Sequence, residues 1–304
     1  MLKRLSLLLE SIKFAHSVFA LPFALVAMIV AAGGLPPARI VALIIVCMVC
    51  ARSAAMAFNR YTDRELDARN PRTRLRPTVT GVVSPKFLVG FTLVCIACFW
   101  TAAWFLNTAC FVCALPVLAV LLGYSFSKRF TSLCHFWLGL ALGLAPVGAH
   151  LAVRGNFAPL AGLGARWGLS FELFPWLMTF TVVIWVAGFD IVYACQDYAV
   201  DCADARLHSL PKRLGMPAAL RAARLLHLLA VVALAALGIY AGMGLWYFLA
   251  VGLTGGLLFY EHWIVRPDDL SRVNMAFFTL NGAVSLVLLG AVIIERVVLP
   301  RLIP

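Results

Sequence analysis

Two acidic stretches stand far apart in the chain, each at the end of a long apolar segment. The first reads Asn59-Arg-Tyr-Thr-Asp63-Arg-Glu-Leu-Asp67-Ala-Arg-Asn70-Pro71-Arg72-Thr73. The second reads Asp190-Ile-Val-Tyr193-Ala-Cys-Gln196-Asp197-Tyr-Ala-Val-Asp201. Residues four apart stack on one face of an α-helix. The spacing therefore predicts Asn59, Asp63 and Asp67 down one side of one helix. It predicts Asp190, Tyr193, Asp197 and Asp201 as a stripe on another. Carboxylates grouped in this way repel one another, so a cation is expected among them. Mg²⁺ shared with a diphosphate is the best candidate, because Mg²⁺ combines a few carboxylates with substrate phosphates rather than filling an all-protein cage.

Basic residues are placed to join such a site. Arg72 and Arg76 follow the first acidic stretch, Lys128-Arg129 follow Tyr124, and Lys212-Arg213 follow His208-Ser209. Arg72, Arg76, Lys128 and Lys212 would crowd around one acidic mouth, and a diphosphate has the charge to absorb that many donors. The alternative is ordinary flanking of apolar spans by cytoplasmic cations. Arg52 lies within an apolar segment, seven residues before Asn59 and nearly on its face. An intramembrane Arg usually faces a polar cavity, unless it pairs with a carboxylate of another span. His16 and His208 lie near the candidate site, whereas His135, His227 and His262 read as packing at span edges. Asn274 and Asn281 share a face of the last apolar segment, either as interhelical glue or as cavity lining.

The elements that must position these groups are membrane spans. The 304 residues are 63% hydrophobic and 12% charged, with a mean hydropathy of +0.96. A soluble domain carries about twice that charged fraction. Each crossing needs about 20 apolar residues, and nine stretches supply them: about 15–33, 38–58, 87–106, 108–126, 133–153, 173–195, 219–240, 243–262 and 273–295. This predicts an all-α polytopic membrane protein, with no soluble domain left over.

The net charge of +12 is unevenly distributed. With the N-terminus inside, the inner loops hold 19 of the 25 Lys and Arg, and both acidic stretches face the cytoplasm. The basic excess suits anionic lipid. Nucleic-acid binding is not expected, since no folded basic domain is present. The first apolar run, preceded by Lys3, Arg4 and Lys13, reads as a retained span rather than a cleaved signal peptide. Nine cysteines include the pairs Cys47/Cys50, Cys95/Cys98 and Cys110/Cys113. All six lie in apolar spans without a nearby His or acid, so they read as small packing residues rather than a metal site or disulfides. Both acidic segments contain D-x-x-x-D, and each precedes a basic triplet, Lys128-Arg129-Phe130 or Lys212-Arg213-Leu214. One domain over 1–304 is expected, built of two similar four-helix halves (about 15–131 and 133–262) plus a last helix.

The pattern resembles the UbiA superfamily of membrane prenyltransferases. Its carriers are Asn59-x3-Asp63-x3-Asp67-x2-Asn70-Pro71-Arg72-Thr73 with Arg76-Pro77 and Gly81, and Tyr193-Ala-x-Gln196-Asp197-x3-Asp201. Arg52-Ser53-Ala54 and Lys128-Arg129-Phe130-Thr131 are also similar. The family implies nine helices around a central cavity and Mg²⁺-dependent transfer of a prenyl chain to an acceptor, usually aromatic. Phe19-Ala-Leu-Pro22-Phe-Ala-Leu25, Leu207-His208-Ser209-Leu-Pro211 and Asn274-Met-Ala-Phe-Phe-Thr-Leu-Asn281-Gly look like the branch that prenylates aromatic acids for quinone synthesis. That branch contains the 4-hydroxybenzoate polyprenyltransferases and the enzyme of the futalosine route to menaquinone. The chain departs from the common pattern at Val79 and Ser125, where Pro is frequent, and at His208, where Lys is frequent.

The resemblance implies roles. Asp63, Asp67, Asp197 and Asp201, helped by Asn59, would hold Mg²⁺ against the diphosphate of a polyprenyl donor. Arg72, Arg76, Lys128, Arg129 and Lys212 would bind the leaving group. Tyr124 and Tyr193 would shield an allylic cation with their π faces. Arg52 would take a carboxylate on the aromatic acceptor, and Asp190, Gln196, His208 and Asn281 would complete the substrate contacts. The prenyl tail would leave sideways into lipid. The expected location is a bacterial inner membrane, with the N-terminus and site loops cytoplasmic. Other UbiA-type acceptors (haem, chlorin or lipid) remain alternatives. So does an ion-coupled transporter, although its acids would lie at the membrane midplane rather than at span ends.

Overall fold

The computed structural model describes residues 20–155 and 173–302. The basic N-terminal residues with His16, the signal-peptide reading, Arg166 and the last two residues lie outside the described residues. Helices α1 (Leu21–Ala32), α2 (Ala38–Thr62) and α3 (Arg64–Arg69) are followed by α4 (Pro85–Leu106), α5 (Thr108–Ser127) and α6 (Cys134–Arg154). After the gap come α7 (Leu173–Ala194), the short α8 (Tyr198–Ala203) and α9 (Leu210–Leu214), then α10 (Met216–Tyr240) and α11 (Leu245–Ile264). A wide π-helical turn, Met275–Leu280, leads into α12 (Asn281–Ile293). A second such turn, Ile294–Val298, leads into the short α13 (Leu299–Leu302).

Among the described residues, 7 helical segments are long and apolar enough to cross a membrane. They are α2, α4, α5, α6, Leu173–Ala203, α10 and Met275–Leu302. The other two expected spans coincide with α1, of which 12 apolar residues are described, and with α11, whose 20 residues include Glu261. Large apolar side chains such as Trp104, Leu228, Phe259 and Trp263 point outward. Such a surface suits lipid and not water.

Local chemistry sets the helix ends. Ser84 caps α4 by accepting from the Phe87 amide at 3.3 Å, with Pro85 in the first turn. Asn107 accepts from the Cys110 amide at 2.8 Å and donates to the Leu151 carbonyl at 3.1 Å, joining the α4–α5 turn to α6. Among the seven candidate spans the one containing α7 is the most enclosed: 67% of its apolar stretch is buried, against 28 to 44% in the others. Small residues let its neighbours approach. A Cβ at Gly139 of α6 would collide with the Val183 carbonyl, and one at Gly143 would press on that of Thr179. This is the small-x3-small spacing that brings membrane helices close. On the opposite side, Gly188 makes room for the ring of His227.

The acidic helices are not continuous, as the spacing alone suggested. The first breaks at Asp63 and resumes as α3; the second passes through one tight turn, Cys195–Asp197, before α8. The stacking survives the first break, because the Asp63 amide still bonds the Asn59 carbonyl (2.9 Å) and the Asp67 amide that of Asp63 (2.7 Å). Past these breaks the two acidic stretches meet: Asn70 and Arg72, just after the first, both bond Asp197 of the second.

Candidate active site

The acidic stretches meet over a cavity at one end of the bundle. Its wall includes Arg52, Asn59, Arg60, Asp63, Asp67, Asn70, Arg72 and Arg76 from the first stretch and its surroundings. Tyr124, Lys128, His135, Asp190, Tyr193, Asp197, Asp201, His208, Ser209, Phe277 and Phe278 complete it.

The four central carboxylates are matched with donors. Asp63, 3% exposed, takes Lys128 Nζ at 2.7 Å and Asn59 Nδ2 at 3.0 Å on one oxygen. Asp67 takes one Arg76 nitrogen on both oxygens, at 2.8 and 2.7 Å, with Arg60 at 4.0 Å. Asp197 is gripped by Arg72 through Nε (3.1 Å) and a terminal nitrogen (2.6 Å), and accepts from Asn70 at 2.7 Å. Asp201 accepts from the Ser209 hydroxyl at 2.7 Å. Arg72 also donates to the Tyr193 hydroxyl at 3.0 Å and lies over that ring, 5.2 Å from its centroid. Burial would lower the Arg72 pKa, but its bonds to Asp197 and Tyr193 outweigh this and raise it. Arg72 therefore remains a fixed positive charge.

A second pair lies deeper. His135 Nδ1 is 2.7 Å from Asp190 Oδ2, while its Nε2 accepts from the Leu210 amide at 3.2 Å. Since Nε2 accepts, Nδ1 carries the hydrogen and donates to Asp190. The sequence reading of His135 as edge packing is thus corrected: it orients an acid of the cavity. His227 and His262 bond each other at 3.0 Å, away from the cavity wall.

Beyond Arg52, Met56, Asn59 and Tyr124 the polar cavity continues into an apolar channel between α2, α4, α5 and α6. Cys47, Met48, Phe99, Leu106, Cys110 and Leu121 line it. The described cysteines are all free thiols, and three of them, Cys47, Cys110 and Cys113, serve as channel wall. Arg52 stands where the two spaces join, and its Nε is buried with no partner among the described residues.

The structure thus gathers Arg52, Asn59, Asp63, Asp67, Arg72, Arg76, Tyr124, Lys128, Asp190, Tyr193, Asp197, Asp201 and His208 around one space. Four expected site residues are placed elsewhere. Gln196 does not line the cavity and donates to the Tyr193 carbonyl at 3.4 Å. Lys212 bonds the Asp204 and Leu207 carbonyls at 2.9 and 2.7 Å, fixing its own loop. Arg129 sits at the rim, on the Thr62 carbonyl at 2.6 Å and 3.5 Å from Asp63. Asn281 is fully buried against Glu261, at 2.9 Å. The structure adds Arg60, Asn70, His135, Ser209, Phe277 and Phe278. Asn70, Ser209, Phe277 and Phe278 lie inside the motifs quoted above, and Arg60 lies seven residues before Asp67 and hence on its face.

Among the described residues no three His, Cys, Asp or Glu side chains form a ready-made metal cage. The donor set is nonetheless hard oxygen on two facing helix ends, with an amide, Asn59, bonded to Asp63. That set fits a cation such as Mg²⁺ that completes its shell with substrate phosphate.

Comparison with known proteins agrees with this geometry. The UbiA prenyltransferase family model matches residues 20–283. A 4-hydroxybenzoate octaprenyltransferase of Aromatoleum aromaticum is 27% identical over 282 residues, covering 89% of this chain and 86% of that protein. One from Actinobacillus pleuropneumoniae is 29% identical over 256 residues, covering 83% and 80%. The apo structure of a UbiA homologue from Aeropyrum pernix superposes with a TM-score of 0.80 at 32% identity, covering 92% of this chain and 98% of that one. A UbiA homologue from Archaeoglobus fulgidus, solved with DMAPP and Mg²⁺, shares the fold with a TM-score of 0.71 at 18% identity, covering 94% and 97%. By matched length, fold and the facing acidic stretches, this multi-pass membrane protein is a prenyltransferase and belongs to the UbiA prenyltransferase family.

Proposed function

We propose that the chain transfers a polyprenyl group from its diphosphate to an aromatic acid of the 4-hydroxybenzoate type, with Mg²⁺, in quinone biosynthesis. The observation that carries this reading is the junction of two unlike spaces. A charged mouth that fits a diphosphate opens, past Arg52 and Tyr124, onto an apolar channel that fits a long hydrocarbon. An allylic diphosphate with a long tail has that same division of polarity. Names of the curated relatives and the DMAPP and Mg²⁺ in the Archaeoglobus fulgidus homologue support the substrate classes.

Asp63, Asp67, Asp197 and Asp201, with Asn59, would hold Mg²⁺. Bound there, the metal would supply charge stabilisation to the departing diphosphate. Lys128, Arg72 and Arg76 exchange their carboxylate partners for phosphate oxygens, since a diphosphate carries more negative charge than a single carboxylate and frees the carboxylates for the metal. The allylic C–O bond breaks and its electron pair leaves with the diphosphate. Tyr124 and Tyr193 present π faces to the cation. Arg52 anchors the acceptor carboxylate, and an electron-rich ring carbon forms the new C–C bond. The ring then loses a proton, and Asp190, held by His135, is placed to receive it.

Purified protein with Mg²⁺ and a prenyl diphosphate, offered a panel of aromatic acceptors and read by mass spectrometry, tests the assignment. Prenylated 4-hydroxybenzoate is expected. Preference for a phenol lacking the carboxylate, or for a lipid alcohol, would move the enzyme to another acceptor class.

The active-site loops face the cytoplasm in this proposal, with the N-terminus inside, because 19 of 25 cations then lie on that side. Single cysteines introduced at exposed Arg74 and Arg206, in a background with exposed Cys98 and Cys202 replaced, should react with an impermeant maleimide only in inside-out vesicles. Labelling of the two loops from opposite sides would rule out a shared site.

A further inference from the structure

Glu261 is fully buried in α11, outside the cavity and without a part in the mechanism above. An acid at such a place in an apolar helix is costly and calls for a function. Its Oε2 accepts from Asn281 Nδ2 at 2.9 Å, while Oε1 has no hydrogen-bond partner among the described residues. The same Asn281 amide donates to the Ala276 carbonyl at 3.0 Å. Ala276 lies in the π-helical turn Met275–Leu280, and Asn281 is the first residue after it. Asn281 thus ties the start of the turn to its end, and Glu261 ties both to α11.

That turn delivers two rings to the reaction space. Phe277 and Phe278 line the cavity. Phe277 lies 4.3 Å from the Tyr193 ring and 5.0 Å from that of Phe189, and Phe278 lies 6.0 Å from Tyr193. Wide turns of this kind are costly in regular helices and recur at functional sites. Without a fixed hydrogen bond across it, the turn can relax to an α-helix. The 100° rotation per residue of such a helix then carries the rings off Tyr193.

We infer that Glu261 and Asn281 are positioning residues, a buried latch that holds the π-helical turn so that Phe277 and Phe278 seal the reaction space against water. The inference rests on the prenyl transfer proposed above. An allylic cation that meets water instead of the acceptor forms a C–O bond to the water oxygen and loses a proton to solvent. The products are then prenyl alcohol and free diphosphate. The latch therefore sets the ratio of prenyl alcohol to prenylated acceptor, which a general loss of folded protein does not change.

The test uses the full-length protein in detergent with Mg²⁺, geranyl diphosphate and saturating 4-hydroxybenzoate, both products being quantified together. Glu261→Leu should raise the alcohol-to-acceptor ratio several-fold, and Phe277→Leu should move it in the same direction. Glu261→Gln keeps a carbonyl oxygen for the Asn281 amide and should restore the wild-type ratio. If Glu261→Leu does not fold, Asn281→Ala carries the test, since it removes the donor to Glu261 without adding a carboxyl that could share a proton with it. Transfer by the wild type with an unchanged ratio in the folded latch variant overturns the latch alone. A wild type that makes neither product overturns the prenyl-transfer reading and the latch with it.

Discussion

Asp63→Asn and Asp197→Asn are each expected to lower turnover by at least about 10²-fold, the scale seen when one group that stabilises developing charge is removed. The substitution keeps the shape of each side chain and a hydrogen-bond acceptor, so folding should survive. What it removes is one negative charge from a mouth where Lys128, Arg72 and Arg76 stand close to the carboxylates. Without that charge the mouth repels Mg²⁺ and holds it too weakly to share with a diphosphate. EDTA should reproduce the loss, and added Mg²⁺ should reverse it in the wild type but not in the variants. The facing pair matters here: Asp63 belongs to one acidic stretch and Asp197 to the other. Full activity in EDTA, or in both variants, would sink the metal-assisted mechanism. A loss in only one would leave a site built on a single helix end.

The sequence carried the parts of this site that follow from periodicity. Asn59, Asp63 and Asp67 are four apart, and the structure stacks them even across the break at Asp63, because the amide bonds still run four residues back. Arg52 followed from the same face. Arg60 was equally legible, since it shares the face of Asp67, but a charge next to a loop reads first as topology. The misplacements have another origin. Lys212 answers two backbone carbonyls of its own loop, Asp204 and Leu207, and a pattern of residue types does not show where carbonyls point. Asn281 was weighed as glue or lining, and the decision rests with Glu261, twenty positions earlier on a separate helix. His135 and Asp190 are 55 residues apart and meet only because α6 and α7 pack at the closeness that Gly139 and Gly143 allow. Nor did anything in Thr62-Asp63-Arg64 or Ala194-Cys195 announce a helix break, as neither holds Gly or Pro. Periodicity shows which residues share a face; tertiary contacts decide where that face turns and what it meets.

Arg52→Lys should separate acceptor from donor. Seven residues of helix place Arg52 about 10 Å below Asn59, at 1.5 Å per residue. The Asn59–Asp63 level is where the diphosphate would bind, so Arg52 lies too deep to share it. It stands instead where the charged mouth meets the apolar channel, and its buried Nε has no partner among the described residues. A buried donor left unpaired costs about 1–3 kcal/mol, so this position favours a ligand that can satisfy it. A planar carboxylate does so through two parallel hydrogen bonds from the guanidinium fork. Lysine keeps the charge and loses the fork. The expected result is a fall of roughly tenfold to a hundredfold in kcat/KM for 4-hydroxybenzoate, on the scale of one strong bidentate contact. KM for the prenyl diphosphate should stay within about twofold, since uniform binding of the donor is untouched. A phenolic acceptor without the carboxylate should be used poorly by the wild type, and Arg52→Lys should penalise it far less. If the substitution raises only the donor KM, Arg52 belongs to the diphosphate site. The carboxylate-bearing acceptor then loses its main structural support in this chain.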